Sequence, residues 1–172
     1  MVKRRFVFKK GRFILTRKPG FVLKLANELY NSIKPLCKKI EIVGSIRRQD
    51  PKPVDIDIVL IPKSSKEKQK ILNYIAKQGK FIQGGEKRST FKVKGVKVEI
   101  YYAKPENWGA MLLSYTGPSG SSIGLRIVAR KKGMLLNQYG LFDRTSKKLI
   151  AGKTEKDIYN VLGKKWKKPS ER

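Results

Sequence analysis

The chain has 172 residues, including 41 Lys and Arg, 13 Asp and Glu, no His and one Cys, and its formal net charge is +28. Without His, and with Cys37 alone, a His- or Cys-rich zinc site, a Ser–His triad and an intrachain disulfide bond are excluded. Self-repulsion at this charge destabilises a compact state unless a polyanion relieves it, so we expect nucleic acid, or alternatively an anionic membrane, as the partner.

The hydrophobic fraction is an ordinary 40%, which predicts one folded domain or two small lobes. No apolar run is long enough to span a bilayer, so we expect no membrane segment. The basic start of the chain lacks the apolar core and cleavage site of a signal peptide, so we expect a protein that is not secreted. The few carboxylates are the main candidates for metal ligands, and oxygen-only ligation favours magnesium, manganese or calcium.

Hydrophobic periodicity predicts a first half in which strands and helices are mixed. Proline and glycine punctuate it, and Pro105 marks the boundary that we expect with the second half. The predicted elements are two short strands on either side of 9–11, a helix over 21–33, strands over 40–43 and 54–61, a helix over 66–76, and strands at 81–82, 90–93 and 96–101.

The second half is predicted to contain three helices and a hairpin. The helices cover 108–115, a stretch capped by Ser121 or Ser122 that ends before Gly133, and a last stretch from the cap Thr154 to Leu162. The hairpin joins 135–142 to 148–151 through a turn at 143–145. The Lys-rich tail over 164–168 is expected to be mobile.

Asp55 and Asp57 are the first candidate metal ligands. On a strand, residues i and i+2 point to the same face and lie about 6.5–7 Å apart. Two carboxylates at that spacing can converge on two metal ions about 3.5–4 Å apart, as two-metal phosphoryl transfer requires. The alternative is a solvent-facing pair at a strand edge, because Asp-x-Asp alone is a common pattern.

The segment Gly44-Ser45-Ile46-Arg47-Arg48 precedes this pair and ends the previous strand. Gly44 allows backbone amides to approach a ligand closely, Ser45 can donate to phosphate oxygens, and Arg48, with Arg47 as a second candidate, can clamp a phosphate. The alternative is an ordinary basic turn in a very basic protein. The order of a phosphate-binding turn and then a carboxylate pair favours the functional interpretation.

Glu99 is the third candidate, since it lies in the middle of a predicted apolar strand in a chain short of acids. On a strand adjacent to the aspartates it could join the same metal cluster. Taken alone, a surface Glu paired with a lysine is the more frequent case.

These motifs together resemble the polymerase-beta-like nucleotidyltransferases, and the downstream residues resemble the thumb of the family X DNA polymerases. The resemblance runs from about Phe21 to the end, and the layout is closest to the short palm-and-thumb viral form, which lacks separate lyase and fingers domains. The thumb motifs are Tyr115-Thr116-Gly117-Pro118 followed by Leu125-Arg126, the stretch 136–142, and the final helix over 154–163.

The resemblance implies an α+β fold with a mixed-sheet nucleotidyltransferase palm over 1–104 and a small α/β thumb over 105–172. It implies a template-directed DNA polymerase that adds dNMP to a primer 3′ hydroxyl in gap filling or repair. The implied substrates are dNTPs and gapped or primer–template DNA. The chain is expected to act as a monomer, in the cytoplasm or at the DNA of a virus or prokaryote.

The resemblance also implies roles for individual residues. Two Mg²⁺ ions, for which Mn²⁺ can substitute, are held by the catalytic carboxylates, and the remaining site residues contact nucleotide or DNA. The carboxylates are Asp55, Asp57 and Glu99; the nucleotide-binding residues are Gly44, Ser45, Arg48, Tyr115 and Gly117; and the DNA-binding residues are Lys97, Arg126 and Arg130.

Three positions depart from the family pattern. Glu99 stands where the family usually has Asp, and its extra methylene shifts the carboxylate, which predicts reduced or manganese-favoured activity. Val54 replaces a Gly that allows close amide approach, and Ser122 replaces an Asn that contacts the base, which predicts loose base selection. The alternatives are a template-independent terminal transferase, another nucleotidyltransferase such as an RNA-directed one, and a non-catalytic nucleic-acid-binding protein with a decayed site.

Overall fold

The computed structural model describes residues 5–9, 12–16 and 19–172, with the backbone alone for the first two ranges. Short strands and helices alternate through most of the described chain. They are β1 (Arg5–Lys9), β2 (Arg12–Thr16), α1 (Pro19–Ile33), β3 (Cys37–Ile42), α2 (Gly44–Arg47), β4 (Ile56–Pro62), α3 (Ser65–Gln78), β5 (Gly79–Gly84), β6 (Arg88–Val93), β7 (Val96–Tyr102), α4 (Trp108–Thr116), α5 (Ser119–Lys131), β8 (Met134–Asn137), β9 (Gly140–Asp143), β10 (Leu149–Ala151) and α6 (Glu155–Val161).

A mixed sheet with the strand order β3–β4–β7–β6–β5 forms the centre of the first half. Strands β4 and β7 run parallel, whereas the other neighbouring pairs are antiparallel. The register of the parallel pair places Asp57 directly beside Glu99. Because paired residues on adjacent strands project from the same face, the sheet itself brings these two carboxylates together.

One face of this sheet is covered by α1 and α3. Ile58 of β4 and Ile100 of β7 are completely buried there, together with Leu29 of α1 and Ile75 of α3. Alternation along each strand then sends the intervening residues to the opposite face. That alternation explains why continuous apolar strands can still present Asp57 and Glu99 on a single side.

The opposite face is apolar only along part of its length, where helix α4 covers it. Met111 and Leu112 of α4 pack against Val59 and Ile61 of β4. The other side of α4 places Leu113 in the core of the second half, which also contains residues of α5 and α6. Helix α4 therefore packs against both halves of the chain.

A small antiparallel sheet, β10–β9–β8, completes the second half. Leu141 of β9 and Ile158 of α6 are fully buried in its core, and Trp166 packs against that cluster. None of the helices in the described ranges is long and apolar enough to cross a membrane.

The α+β fold class is confirmed, with a mixed sheet in the first half and a small α/β unit in the second. Several predicted boundaries were nevertheless wrong. Strand β4 begins at Ile56, so Asp55 lies in the bend before the strand and not within it. Gly44–Arg47 is a single helical turn and not an open turn. Strand β3 begins at Cys37, three residues earlier than predicted.

Two predictions in the second half were also wrong. Helix α5 begins at Ser119 with Pro118 as its N-cap residue, so neither Ser121 nor Ser122 caps it. The stretch 135–142 is two strands, β8 and β9, that pair with each other. The Thr154 cap is confirmed, since its hydroxyl accepts a hydrogen bond of 3.1 Å from the Asp157 amide.

Gly109 generates a stability prediction, because a Cβ at this position of α4 would collide with the backbone of Thr154 and Glu155. We expect Gly109→Ala to lower the free energy of unfolding by about 2 kcal/mol, as overpacking does. Gly124→Ala is the matched control, since a Cβ there meets nothing within 4 Å on a helix. The control should gain about 0.5–1 kcal/mol. Urea denaturation checks both, and equal effects would contradict the packing of α4 on α6.

Candidate active site

A cavity of about 610 Å³ opens where the sheet, the single-turn helix α2 and the start of α5 meet. Its volume lies within the usual range for a small-molecule pocket, roughly 300–1,000 Å³. The residues around it come from distant parts of the chain, and they include most of the predicted site. They are Gly44, Ser45, Arg48, Asp55, Asp57, Tyr101, Ser114, Tyr115, Thr116, Gly117, Pro118, Ser119, Ser122, Ile123 and Arg126.

Asp55 and Asp57 both line this cavity, although they are held differently. Asp57 is the second residue of β4, whereas Asp55 lies in the bend that precedes the strand. A Cβ at Gly44, whose φ is +64°, would collide with the Asp57 carboxylate. Glycine is therefore needed at this position twice over, for its left-handed backbone and for the space that it leaves to the carboxylate.

The Asp57 carboxylate lies in an environment that disfavours its charge. The pKa of Asp57 is raised to about 6, first by burial and then by repulsion from the neighbouring carboxylates Asp55 and Glu99. The Lys97 ammonium and the Tyr101 hydroxyl oppose this rise without cancelling it. A cation between the aspartates would remove the repulsion, which is the arrangement expected of a metal-binding pair.

Glu99 is 8% exposed, and its carboxylate is already occupied by neighbouring side chains. The Lys97 ammonium lies 2.7 Å from Oε2 and the Tyr101 hydroxyl donates to the same oxygen over 3.2 Å. On the strand β6 side, the Arg88 guanidinium lies 3.8 Å from Oε1. The predicted DNA contact Lys97 is thus an ion-pair partner of Glu99 in this structure.

The carboxylate oxygens at the cavity wall match the ligands of a hard divalent cation in chemistry but not yet in number. Asp55 and Asp57 supply carboxylate oxygens at the cavity wall, which is the chemistry that Mg²⁺ and Mn²⁺ prefer. Within the described residues, no three acidic or Cys side chains are yet gathered closely enough to hold a metal ion. Glu99, the predicted third ligand, lies directly beside Asp57 on the neighbouring strand, and its carboxylate is paired with Lys97 in this structure.

The Ser45 hydroxyl is the clearest sign of a missing polar ligand in this cavity. It is buried and has no hydrogen-bond partner among the residues that the structure describes. A buried, unpaired hydroxyl is costly, roughly 1–3 kcal/mol, unless a ligand satisfies it. Arg48, on the same wall of the cavity, donates a hydrogen bond to the backbone carbonyl of Thr116 and leaves its other guanidinium nitrogens for a ligand.

Arg47, the second candidate for a phosphate clamp, is engaged elsewhere. Its guanidinium binds both carboxylate oxygens of Glu155, at 2.9 and 3.0 Å, and donates to the Thr116 hydroxyl at 2.8 Å. The buried Arg172 side chain reaches the same carboxylate at 2.8 Å. This Arg47–Glu155–Arg172 cluster joins α2, α6 and the tail, so the tail expected to be mobile is packed against the rest of the chain.

The charge of Glu155 is stable in this cluster despite its burial. Burial alone raises the pKa of Glu155, but hydrogen bonds and attraction from Arg47 and Arg172 outweigh it, and the pKa is lowered. The cluster was not predicted from the sequence. An acid in the first turn of a helix is also the ordinary complement of the helix dipole, so nothing marked Glu155 as a partner for a residue 108 positions away.

The second half of the chain supplies the remaining wall of the cavity. Tyr115 is stacked on Tyr101, with ring centroids 3.7 Å apart, and Gly117, with a φ of +66°, lies between α4 and α5. Arg126 is exposed on α5 and lines the cavity, whereas the exposed Arg130 lies one turn farther along the helix. All predicted nucleotide-binding residues thus meet at one cavity, and Arg126 joins them there.

Several residues that line the cavity or lie beside Glu99 were not predicted from the sequence. Tyr101 could have been found, because it is two residues from Glu99 on the same strand and therefore shares its face. Thr90 and Arg88 could not, since the register of β6 against β7 that places them beside this face is not encoded in any local pattern. Ser114 and Ser119 are small polar residues with no distinguishing sequence signal.

Asp57 generates a pH prediction for the metal-free protein. The pKa of Asp57 is higher in the folded than in the unfolded protein. The stability linked to this carboxyl group is therefore fully present below the unfolded pKa of about 3.9, and it is lost as the pH rises through about 6. Asp57→Asn should therefore stabilise the metal-free protein at pH 7.5, by at most about 3 kcal/mol, and change little at pH 4. Thermal denaturation in a chelator checks this. The exposed Asp50→Asn is the control, and a gain independent of pH would refute the assignment.

Glu155 generates a prediction about the buried cluster. Glu155→Gln keeps the shape of the side chain but removes the carboxylate between Arg47 and Arg172, and among the described residues it leaves Arg47 only the more exposed Glu41 at 3.7 Å. The free energy of unfolding should therefore fall by about 3 kcal/mol. Urea denaturation at pH 7 measures it. Glu106→Gln, which changes an exposed acid in the same half of the chain, should change stability by less than about 0.5 kcal/mol. A similar, small loss in both variants would rule out a stabilising cluster.

Comparison with known proteins gives one family throughout. The family description "DNA polymerase beta thumb" matches residues 111–172. The Repair DNA polymerase X of African swine fever virus (isolate Warthog/Namibia/Wart80/1980) is 30% identical over 165 residues, covering 87% of this chain and 95% of the viral protein.

Two vertebrate proteins are similar over shorter stretches. The human DNA-directed DNA/RNA polymerase mu is 34% identical over 90 residues, which are 52% of this chain and 18% of that protein. The DNA nucleotidylexotransferase of Xenopus laevis is 31% identical over 80 residues, or 46% of this chain and 16% of that protein. The 30% identity with the viral polymerase over nearly its whole length, together with the thumb match, shows that the chain belongs to the family X DNA polymerases.

Proposed function

We propose that this chain is a template-directed DNA polymerase that adds dNMP to a primer 3′ hydroxyl with two divalent metal ions, in gap filling or DNA repair. The observation that supports it best is a single cavity that joins the Asp55–Asp57 pair, the unpaired Ser45 hydroxyl and Arg126. Acidic, phosphate-binding and DNA-facing groups are the three kinds of group that nucleotidyl transfer needs. The alignment with a viral repair polymerase, which is 30% identical and covers 95% of that protein, supports the same activity.

The carboxylates have unequal roles in this proposal. Asp55 and Asp57 would hold both ions, and Glu99 would complete the ligand set of the catalytic one, with the cation taking the place of the Lys97 ammonium. When bound, Mg²⁺ or Mn²⁺ lowers the pKa of the primer hydroxyl and neutralises charge on the phosphates. The protein groups orient the hydroxyl for in-line attack on the α-phosphorus, with pyrophosphate as the leaving group.

The triphosphate binds on the α2 side of the cavity. The Ser45 hydroxyl gains a phosphate oxygen as its partner, and Arg48 donates to the β- and γ-phosphates from its free nitrogens. Gly44 keeps the wall open beside Asp57. The charged phosphates thereby meet a guanidinium and a hydroxyl, whereas the metal-binding carboxylates face the reacting centre.

The sugar and base lie against the α4–α5 side. Tyr115 and Gly117 border them, and Ser122 contributes a short hydroxyl to the same wall. The short reach of Ser122 leaves the base loosely held, which predicts modest discrimination between bases. Arg126 faces the template strand from α5.

DNA is held mainly through its phosphates. Lys97, once released from Glu99, binds a primer phosphate, and Arg130 extends the basic surface of α5. The net charge of +28 makes affinity fall steeply with salt, since each phosphate contact releases a counterion. The palm comprises 1–104 and the thumb 105–172 in this proposal, and the chain acts as a monomer.

Primer extension on a single-nucleotide gap tests the proposed function. With Mg²⁺ and dNTPs we expect templated addition of one nucleotide, and Asp57→Ala should reduce kcat by at least about 10³-fold because a shared metal ligand is lost. Asp50→Ala, an exposed acid outside the cavity, is the control with ordinary activity. No incorporation in Mg²⁺ or Mn²⁺ would refute the proposal.

The same assay separates the alternatives. Extension of single strands without a template would favour a terminal transferase. Extension with NTPs as well as dNTPs would indicate loose sugar selection. Tight, salt-sensitive DNA binding without turnover, and without rescue by Glu99→Asp, would indicate a non-catalytic DNA-binding protein.

A further inference from the structure

Tyr101 occupies the border between the metal-binding end and the apolar end of one sheet face. It follows Glu99 by two residues on β7, so both side chains project from the same side. The Tyr101 side chain is 7% exposed and packs with Val59 and Met111. Its ring therefore belongs to the apolar layer, whereas its hydroxyl reaches back to the Glu99 carboxylate over 3.2 Å.

The ring of Tyr101 is fixed from the opposite side by Tyr115 of α4. The two rings are nearly parallel, at 18°, with their centroids 3.7 Å apart. A stacked aromatic pair is favourable beyond its buried area, and it limits rotation of both rings. Because Tyr115 also lines the nucleotide cavity, this stack connects the cavity wall with the tyrosine that donates to the buried Glu99 carboxylate.

The partners of Glu99 differ in how readily they can leave. The Lys97 and Arg88 side chains are 56% and 54% exposed, so water and DNA phosphates can compete for both. Thr90 is buried but its hydroxyl is 3.5 Å away, at the limit of a hydrogen bond. Tyr101 is the buried donor that remains when the exposed cations move to DNA.

We propose that Tyr101 is a positioning residue for Glu99: its hydroxyl holds the long carboxylate in place for the metal, and its stack on Tyr115 fixes that hydroxyl. This inference rests on the proposed polymerase function. A Glu side chain has one more rotatable bond than an Asp and loses more conformational freedom on binding a metal. A fixed donor reduces that loss before the metal arrives, which is the usual benefit of preorganisation around a metal ligand.

Tyr101→Phe tests the proposal, because it removes the hydroxyl and keeps the ring for stacking. We expect the Mg²⁺ concentration for half-maximal primer extension to rise about tenfold, with a smaller change for Mn²⁺ and little change in KM for dNTP. Calorimetric titration of Mg²⁺ and Mn²⁺ into the DNA-free protein should show the same weakening. Tyr102→Phe is the matched control, since its hydroxyl pairs with Ser89 on the other face of the sheet.

A combination with Glu99→Asp distinguishes positioning from a general structural role. The shorter carboxylate should no longer reach the Tyr101 hydroxyl. In this background Tyr101→Phe should therefore change the metal dependence by no more than about threefold, the part that comes from the effect of this hydroxyl on Asp57. Equal effects of Tyr101→Phe and Tyr102→Phe, or additive effects with Glu99→Asp, would overturn the proposal.

The positioning role of Tyr101 and the polymerase activity can be refuted separately. If the parent protein extends primers and Tyr101→Phe does so with unchanged metal dependence, only the positioning role is refuted. If the parent protein shows no incorporation at all, the polymerase proposal fails. The calorimetric comparison of Tyr101→Phe with Tyr102→Phe then still decides whether the Tyr101 hydroxyl contributes to metal binding.

Discussion

The parallel pairing of β4 and β7 is the constraint on which the site depends, because its register sets Asp57 directly beside Glu99. Two carboxylates on adjacent strands repel each other, and neighbouring residues of the site reduce that repulsion or accommodate the carboxylates. Lys97 neutralises Glu99, and Gly44 leaves room for Asp57. The pKa of Asp57 is still raised, first by burial and then by its carboxylate neighbours. The apolar core beneath the strands offsets the free-energy cost of placing the two carboxylates side by side, and its burial fixes the register of the strands.

Much of the fold could be predicted because local patterns determine it. The alternation in β4 and β7, the apolar stripe of α1 and the Thr154 cap each depend on residues within a few positions of one another. The motif around Gly44 and the two aspartates could be interpreted for the same reason. The errors arose where tertiary contacts override local preference, as when α5 begins at Ser119 despite better capping residues two and three positions later.

The contacts between distant segments could not be predicted from the sequence. Arg47 and Arg48 are adjacent in a motif that favours phosphate binding for both, yet Arg47 binds Glu155 whereas Arg48 lines the cavity. In a chain with 41 basic residues, no local signal tells which one has a buried acidic partner. Helix α4 shows the same limit, since its sequence is apolar on nearly every side and only the structure assigns those sides to two different cores.

The buried cluster of Arg47, Glu155 and Arg172 has a consequence for how the molecule responds to ionic strength. Mobile ions screen exposed charges beyond about 8 Å at physiological salt, but they have little access to a cluster that is shielded by packed side chains. Added salt therefore weakens the grip on DNA and relieves the mutual repulsion of the basic surface, while the contact between α2 and α6 persists. We therefore expect DNA to dissociate at salt concentrations at which the fold is still intact.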